Sequence, residues 1–267
     1  LRISKEQTEI MKILVDLNCD MGESFGNYKI GQDEDIVSYI TSSNIACGFH
    51  ASDPLVMQKT IALCKDADVA PGAHPGFPDL VGFGRRQMKV QPAELTAMII
   101  YQVGALKAFA EAAGLKLQHV KPHGAMYNMA GKDAVMADAI CKGIASVDEN
   151  LILLGLSGSE FERAAKKAGI RFAREVFADR AYEEDGSLVA RTKPGAMITD
   201  ENESVARVIR MLKENKVTAV TGRDIEVHPD SICLHGDSPK AVLFAKKIRT
   251  ALEEEGIETA PIEKVIA

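Results

Sequence analysis

Strand-like and helix-like segments alternate along nearly the whole chain, and this alternation limits the fold more than any other feature. Short runs rich in β-branched and apolar residues lie near 13–17, 43–47, 69–73, 118–121, 151–154, 171–176, 218–220 and 232–234. Between them stand helical patterns with marked starts: Asp53 before Pro54, Gln91 before Pro92, the Ser157-x-x-Glu160 capping box, and Asp237-Ser238 before Pro239. Parallel neighbours need crossovers of helical length, so the pattern predicts a parallel sheet covered by helices. About seven such strands close most economically into an irregular (β/α) barrel, with an open doubly wound sheet as the alternative. No linker, repeat or low-complexity tract interrupts the 267 residues, which read as a single barrel domain over 11–267. Met11 is followed at once by the strand KILVDL, so residues 1–10 read as an extension outside the fold.

Charge and hydropathy then remove several classes of function. The 32 Lys and Arg against 38 Asp and Glu leave a formal charge of -6, which argues against a protein that lives on nucleic-acid phosphates. The most apolar stretch, Thr96 to Leu115, is broken by Gln102, Lys107 and Glu111 and cannot span a bilayer. The first ten residues lack the apolar core and cleavage site of a secretory signal, so the expected location is the cytoplasm. Five widely spaced cysteines without a C-x-x-C fit reduced thiols that fill space.

Chemistry concentrates where predicted strands end. Four of the six histidines follow strands directly: His50 in NIACGFHASDP, His74 in GAHPGFPDLVGFGRR, His123 in VKPHGAMYN and His235 in CLHGDSP. In a parallel barrel the C-terminal strand ends converge on one face, so these residues are expected to share a polar pocket. Asp16, Asp20 and Glu23 in DLNCDMGE add carboxylates, as do Asp53 and Asp237, which also suit helix caps. Such a set fits a divalent metal that activates water, or acid–base work without a metal. Lys121, Arg85 and Arg86 are candidates to meet a carboxylate or phosphate. Glycines lie within two residues of each of these histidines, at 48, 72, 76, 124 and 236, and suit either loops around a small ligand or ordinary turns. The long unpatterned stretches near 74–90 and 178–201 are candidates for a site rim or a partner surface.

Several familiar signatures are missing. Gly26 to Gly31 continues with Gln32 and Asp33 where a phosphate-binding loop needs Lys and Ser/Thr, and no G-x-G-x-x-G or H-E-x-x-H occurs. Gly155-Leu-Ser-Gly has the composition of a nucleophile elbow in the wrong order. Any nucleotide therefore binds through an unconventional site or with the help of a partner chain.

Taken together, DLNCDMGESFG, NIACGFHASDP, GAHPGFPDLVGFGRR, VKPHGAMYN, EVFADRAYEEDGSLVARTKPGAMI and LHGDSP resemble the LamB/YcsF family from about Met11 to the last helix. The resemblance implies a barrel like that of the glycoside hydrolase/deacetylase superfamily. It further implies the activity of the A subunit of an ATP-dependent 5-oxoprolinase, which opens 5-oxo-L-proline to L-glutamate with subunits B and C. ATP with Mg²⁺ is then expected, and by similarity to the deacetylases a divalent metal on Asp20, His50 and His74, with Asp16 or His123 as alternative ligands. The implied catalytic set is Asp16, Asp20, His74, Lys121 and His123. The implied substrate and nucleotide contacts are Asn18, Glu23, His50, Asp53, Arg85, Arg86, His235 and Asp237. The competing readings are a stand-alone metal-dependent amide hydrolase and a non-catalytic scaffold subunit.

Overall fold

Seven parallel strands close on themselves into a barrel wrapped by helices. The computed structural model describes residues 13–234 and 241–267; the extension at 1–10 and the helix start expected at Asp237–Pro239 lie outside the described residues. In chain order the elements are β1 (Leu14–Met21), α1 (Asp33–Ile36), β2 (Ser42–Ala46), α2 (Pro54–Asp66), β3 (Ala70–His74), α3 (Pro92–Ala112), β4 (His119–Val120), α4 (Gly124–Ala130), α5 (Ala134–Val147), β5 (Ile152–Leu156), α6 (Glu160–Ala168), β6 (Arg171–Phe177), α7 (Glu201–Glu214), β7 (Lys216–Thr218), β8 (Asp224–Glu226), β9 (Ser231–Leu234), α8 (Ala241–Glu254), β10 (Glu258–Thr259) and α9 (Ile262–Val265). Around the barrel the order is β1-β2-β3-β4-β5-β6-β9, with β9 returning to β1. Among the described residues no helix is long and apolar enough to cross a membrane.

Two local expectations are corrected. The segment near 218–220 does not join the barrel: β7 pairs antiparallel with β8 in a separate hairpin. Val220 is 53% exposed in its turn, and Gly222 at φ +86° lets the chain double back so that Thr218 pairs with Asp224. The Ser157-x-x-Glu160 box does not form either, because Gly158 at φ +75° adds a turn and Ser159 becomes the N-cap of α6. By contrast, Asp53 caps α2 through Leu55 N and Val56 N, with Pro54 in the first turn. All five cysteines are free and buried.

Side chains of a strand alternate between its two faces, and in β1 this sorts polar from apolar. Leu17, Cys19 and Met21 join the hydrophobic layer between barrel and helices. Asp16, Asn18 and Asp20 point into the barrel, where each meets polar partners from neighbouring strands. At the lower level Asp16 accepts from Thr41 Oγ1 and Ser42 Oγ, each at 2.6 Å, and from Ser231 Oγ. At the middle level Asn44 Nδ2 donates to Asn18 Oδ1 at 2.8 Å, while His119 Nε2 meets Asn44 Oδ1 at 2.7 Å. The lumen is thus a hydrogen-bonded polar column, where barrels of this class usually pack branched aliphatics. Ile152, Leu154 and Ala173 form a small apolar floor against Ile262 of α9.

The column has two measurable consequences. Burial lifts Asp16 to about 6, even though the three hydroxyls pull its pKa down. A carboxyl whose folded pKa exceeds its unfolded value stabilises the fold below the unfolded pKa, near 4, and loses that contribution as pH rises through about 6. The shift corresponds to about 3 kcal/mol. Denaturant titrations of wild type and Asp16→Asn at pH 4 and pH 7 should therefore show wild type losing most of that amount relative to the variant, and a pH-independent gap would contradict the assignment. The second consequence concerns space. A Cβ on Gly72 would lie 2.2 Å from the His119 ring, so glycine here is required by the imidazole it faces. Gly72→Ala should cost about 1–3 kcal/mol through overpacking. Gly104→Ala, inside α3 with nothing within 4 Å, should stabilise by roughly 1 kcal/mol. Equal denaturation midpoints for the two variants would refute this.

Candidate active site

At the upper level of the column, the strand ends bring Asp20, His74, Lys121, Glu175 and Cys233 together. Lys121 Nζ lies 2.8 Å from Glu175 Oε1, 3.0 Å from Asp20 Oδ1, 3.2 Å from Asn18 Oδ1 and 3.2 Å from Cys233 Sγ. Burial works against its charge, but Asp20, with Cys233 and Glu175, outweighs it and holds the ammonium well above its ordinary range. Glu175 is fully buried and accepts from Tyr127 Oη at 2.6 Å. A cation fixed between two carboxylates is ready to meet charge that develops beside it.

The loops above β1, β2 and β4 add Glu23, His50 and His123. One donor atom from each of Glu23, His50, His74 and His123 falls within 4.8 Å of the others, and all four residues are buried. Two of the imidazoles are fixed by backbone carbonyls, which can only accept. His74 Nδ1 lies 2.7 Å from Lys121 O, and His123 Nε2 lies 2.8 Å from Phe83 O, so those nitrogens carry the protons. The opposite nitrogens, His74 Nε2 and His123 Nδ1, then face each other at 2.9 Å, and His74 Nε2 is also 3.3 Å from Asp20 Oδ2. Burial, and after it the facing His74, push His123 down to about 3, so its ring is neutral at ordinary pH. Two lone pairs at that distance repel unless a cation sits between them. His50 stacks on His123 at 3.7 Å between centroids, and neither of its ring nitrogens has a hydrogen-bond partner; its Nε2 is 3.4 Å from Glu23 Oε1. Burial, followed by the neighbouring His123 and His74, pushes its pKa well down. Three imidazoles, two of them with the outer N–H tied to a carbonyl, and one carboxylate are a donor set that could hold a divalent metal ion.

Glycine again makes the room. A Cβ on Gly84, whose φ is +63°, would come within 2.7 Å of both His123 and His50. Gly72, Gly76 and Gly84 thus admit imidazole rings, whereas Gly48 has open space beside it and Gly124 faces the Gly84 carbonyl.

The expected residues divide clearly. Asp20, Glu23, His74, Lys121, His123 and Arg85 line a cavity of about 800 Å³ at the barrel mouth. His50 and Asn18 stand directly beneath it through Glu23 and Lys121. Asp16 is elsewhere, at the lower end of β1 and saturated by hydroxyls. Asp53 is occupied by the α2 cap and by Gly26 N, and Arg86 pairs with Asp79. His235 and Asp237 lie outside the described residues. Both long unpatterned stretches reach the cavity, through Arg85 and Gln87 in one and Arg180 and Asp185–Thr192 in the other. Glu175, Tyr127 and Arg180 were not singled out from the sequence. Glu175 carried a signal, since it is a carboxylate inside a strand ending in Val176 and Phe177.

Known proteins match the chain along more than nine-tenths of its length. The chain is 65% identical over 251 residues to a protein named as the A subunit of 5-oxoprolinase from Clostridium beijerinckii, covering 94% of this chain and 98% of that one. It is 57% identical over 243 residues to one of the same name from Geobacillus kaustophilus, covering 91% and 94% respectively. The crystal structure of a lactam utilization protein from Thermus thermophilus superposes with a TM-score of 0.88 at 46% identity, covering 93% of this chain and 99% of that one. The profile of the LamB/YcsF family matches residues 15–267, and the chain belongs to that family.

Proposed function

We propose that the chain is the A subunit of an ATP-dependent 5-oxoprolinase, working in the cytoplasm with subunits B and C to open 5-oxo-L-proline to L-glutamate. The observation that carries this reading is Lys121, clamped by Asp20 and Glu175 beside a cluster of imidazoles, in a cavity sized for a small molecule. The names and near-complete coverage of the relatives support it.

A five-membered lactam is an unstrained amide, so its opening benefits from coupling to ATP. In this reading the lactam oxygen attacks the γ-phosphorus of the substrate MgATP and ADP leaves. Water then adds to the ring carbon, the C–N bond breaks, and a second water attacks the acyl carbon to release phosphate. Lys121 opposes the negative charge of the transferring phosphoryl group and of the tetrahedral adducts that water forms at the ring carbon, and charge stabilisation of this kind dominates phosphoryl and acyl transfer. Asp20, 17% exposed at the cavity, is the carboxylate placed to accept a proton from water. Glu175 and Tyr127 fix the ammonium. A divalent ion held by Glu23, His50, His74 and His123 would supply Lewis-acid polarisation or an activated water.

5-Oxo-L-proline labelled with ¹⁸O in the lactam carbonyl tests the coupling. Label recovered in inorganic phosphate, with one ADP per glutamate, is the expected result, while label retained entirely in glutamate would contradict phosphorylation followed by attack at carbon. The His/Glu cluster also favours a second reading, metal-dependent amide hydrolysis without ATP. That reading predicts turnover that survives ATP removal and stops on chelation.

A further inference from the structure

Arg180 follows β6 at the cavity wall and is 5% exposed. Its Nη2 donates to Val189 O at 2.7 Å, its carbonyl accepts from Arg207 Nη2, and its Nε is buried without a partner. Among the described residues no carboxylate forms an ion pair with it. Burial, and then the charge of Arg191, push its pKa down to about 10, with Asp179 opposing only in part. One bond to a loop carbonyl uses a single one of the five guanidinium donors. Burying a cation without a counter-charge is costly, and a purely structural pin for the loop would not need that charge.

We propose that Arg180, assisted by Arg191 on the same cavity wall, receives an anionic group of the ligand, a carboxylate or a phosphoryl group. The planar fork of a guanidinium suits either. The cavity wall then carries two functions: Lys121 and the imidazoles act on the reacting bond, and Arg180 holds the ligand by its charge. The identity of the ligand rests on the lactam reading above, whereas the receptor does not.

Isothermal titration of the full chain with 5-oxo-L-proline, 2-pyrrolidinone and inorganic phosphate separates the sources, because 2-pyrrolidinone is the same lactam without its carboxylate. Wild type should bind 5-oxo-L-proline or phosphate saturably. Arg180→Gln should weaken that anion about ten-fold or more, the loss expected for a charge-assisted pair, and leave 2-pyrrolidinone unchanged. Arg180→Lys, which keeps the charge but not the fork, should fall between them and carries the test if Arg180→Gln melts early. Loss confined to 5-oxo-L-proline identifies a carboxylate receptor, and loss confined to phosphate identifies a phosphoryl receptor. Anion binding equal in wild type and both variants, or no saturable anion binding by wild type, overturns the proposal. Arg180-dependent phosphate binding by a chain that neither binds nor turns over 5-oxo-L-proline would sink the lactam reading and leave the receptor standing.

Discussion

Lys121→Met is expected to lower the activity of the assembled enzyme by roughly 10²–10³-fold or more, the scale of losing one preorganised charge at a reacting oxygen. The same change leaves Glu175 fully buried without its cation and Asp20 facing it, and breaking a buried pair from one side costs about 3–5 kcal/mol. A fall in stability would lower activity by itself, so the two effects need separating. The double variant Lys121→Met, Glu175→Gln removes the orphaned charge and keeps an amide for Tyr127 Oη to meet. Its denaturation midpoint should return most of the way to wild type while its activity stays low. Recovery of both stability and activity would show that Lys121 only holds the barrel mouth together.

The imidazole pair gives the second large effect. His74 and His123 each keep one nitrogen bound to a carbonyl and turn the other toward the shared centre. His74→Ala or His123→Ala should lower divalent-metal affinity by at least about 100-fold, since even outer-sphere partners of metal ligands are worth 10–100-fold. Calorimetric titration of the purified chain with Zn²⁺ and Mn²⁺, with metal content measured after dialysis, reads this without reference to turnover. Asp53→Asn, outside the cluster at the α2 cap, serves as control and should bind metal as wild type does. Equal metal affinity in all three variants would show that the four residues do not share an ion. In that case a proton must relieve the contact between His74 Nε2 and His123 Nδ1.

Much of this arrangement was legible in the residues. Alternation of strand and helix predicted the closed parallel barrel, and the strand-end rule placed His50, His74 and His123 with Asp20 and Lys121 at one mouth. What the sequence hid follows from depth. Asp16 and Asp20 are the same residue type on the same face of β1, on either side of Asn18; the pattern put the strand end near residue 17, whereas β1 runs on to Met21, so Asp20 and not Asp16 reaches the C-terminal mouth. Asp16 lies opposite Ser231 and meets hydroxyls, whereas Asp20 lies opposite Asn44 and meets Lys121. The polar lumen was hidden too, because alternation announces two faces without saying which one looks inward. His119 looked like an ordinary strand residue although its ring fills the space opposite Gly72. Arg180 sat in a loop with no helical or strand period to mark it as buried. The strand expected near 218–220 failed because three residues next to a tight turn carry too little pattern to separate a hairpin from a barrel wall.

Extract from source cells lacking this chain, supplied with 5-oxo-L-proline and ATP, tests the central claim most directly. Adding back the purified wild-type protein should restore glutamate formation in step with ADP release, and adding back Lys121→Met, Glu175→Gln should not. Restoration by both proteins, or glutamate formed at the same rate without ATP, would contradict the account.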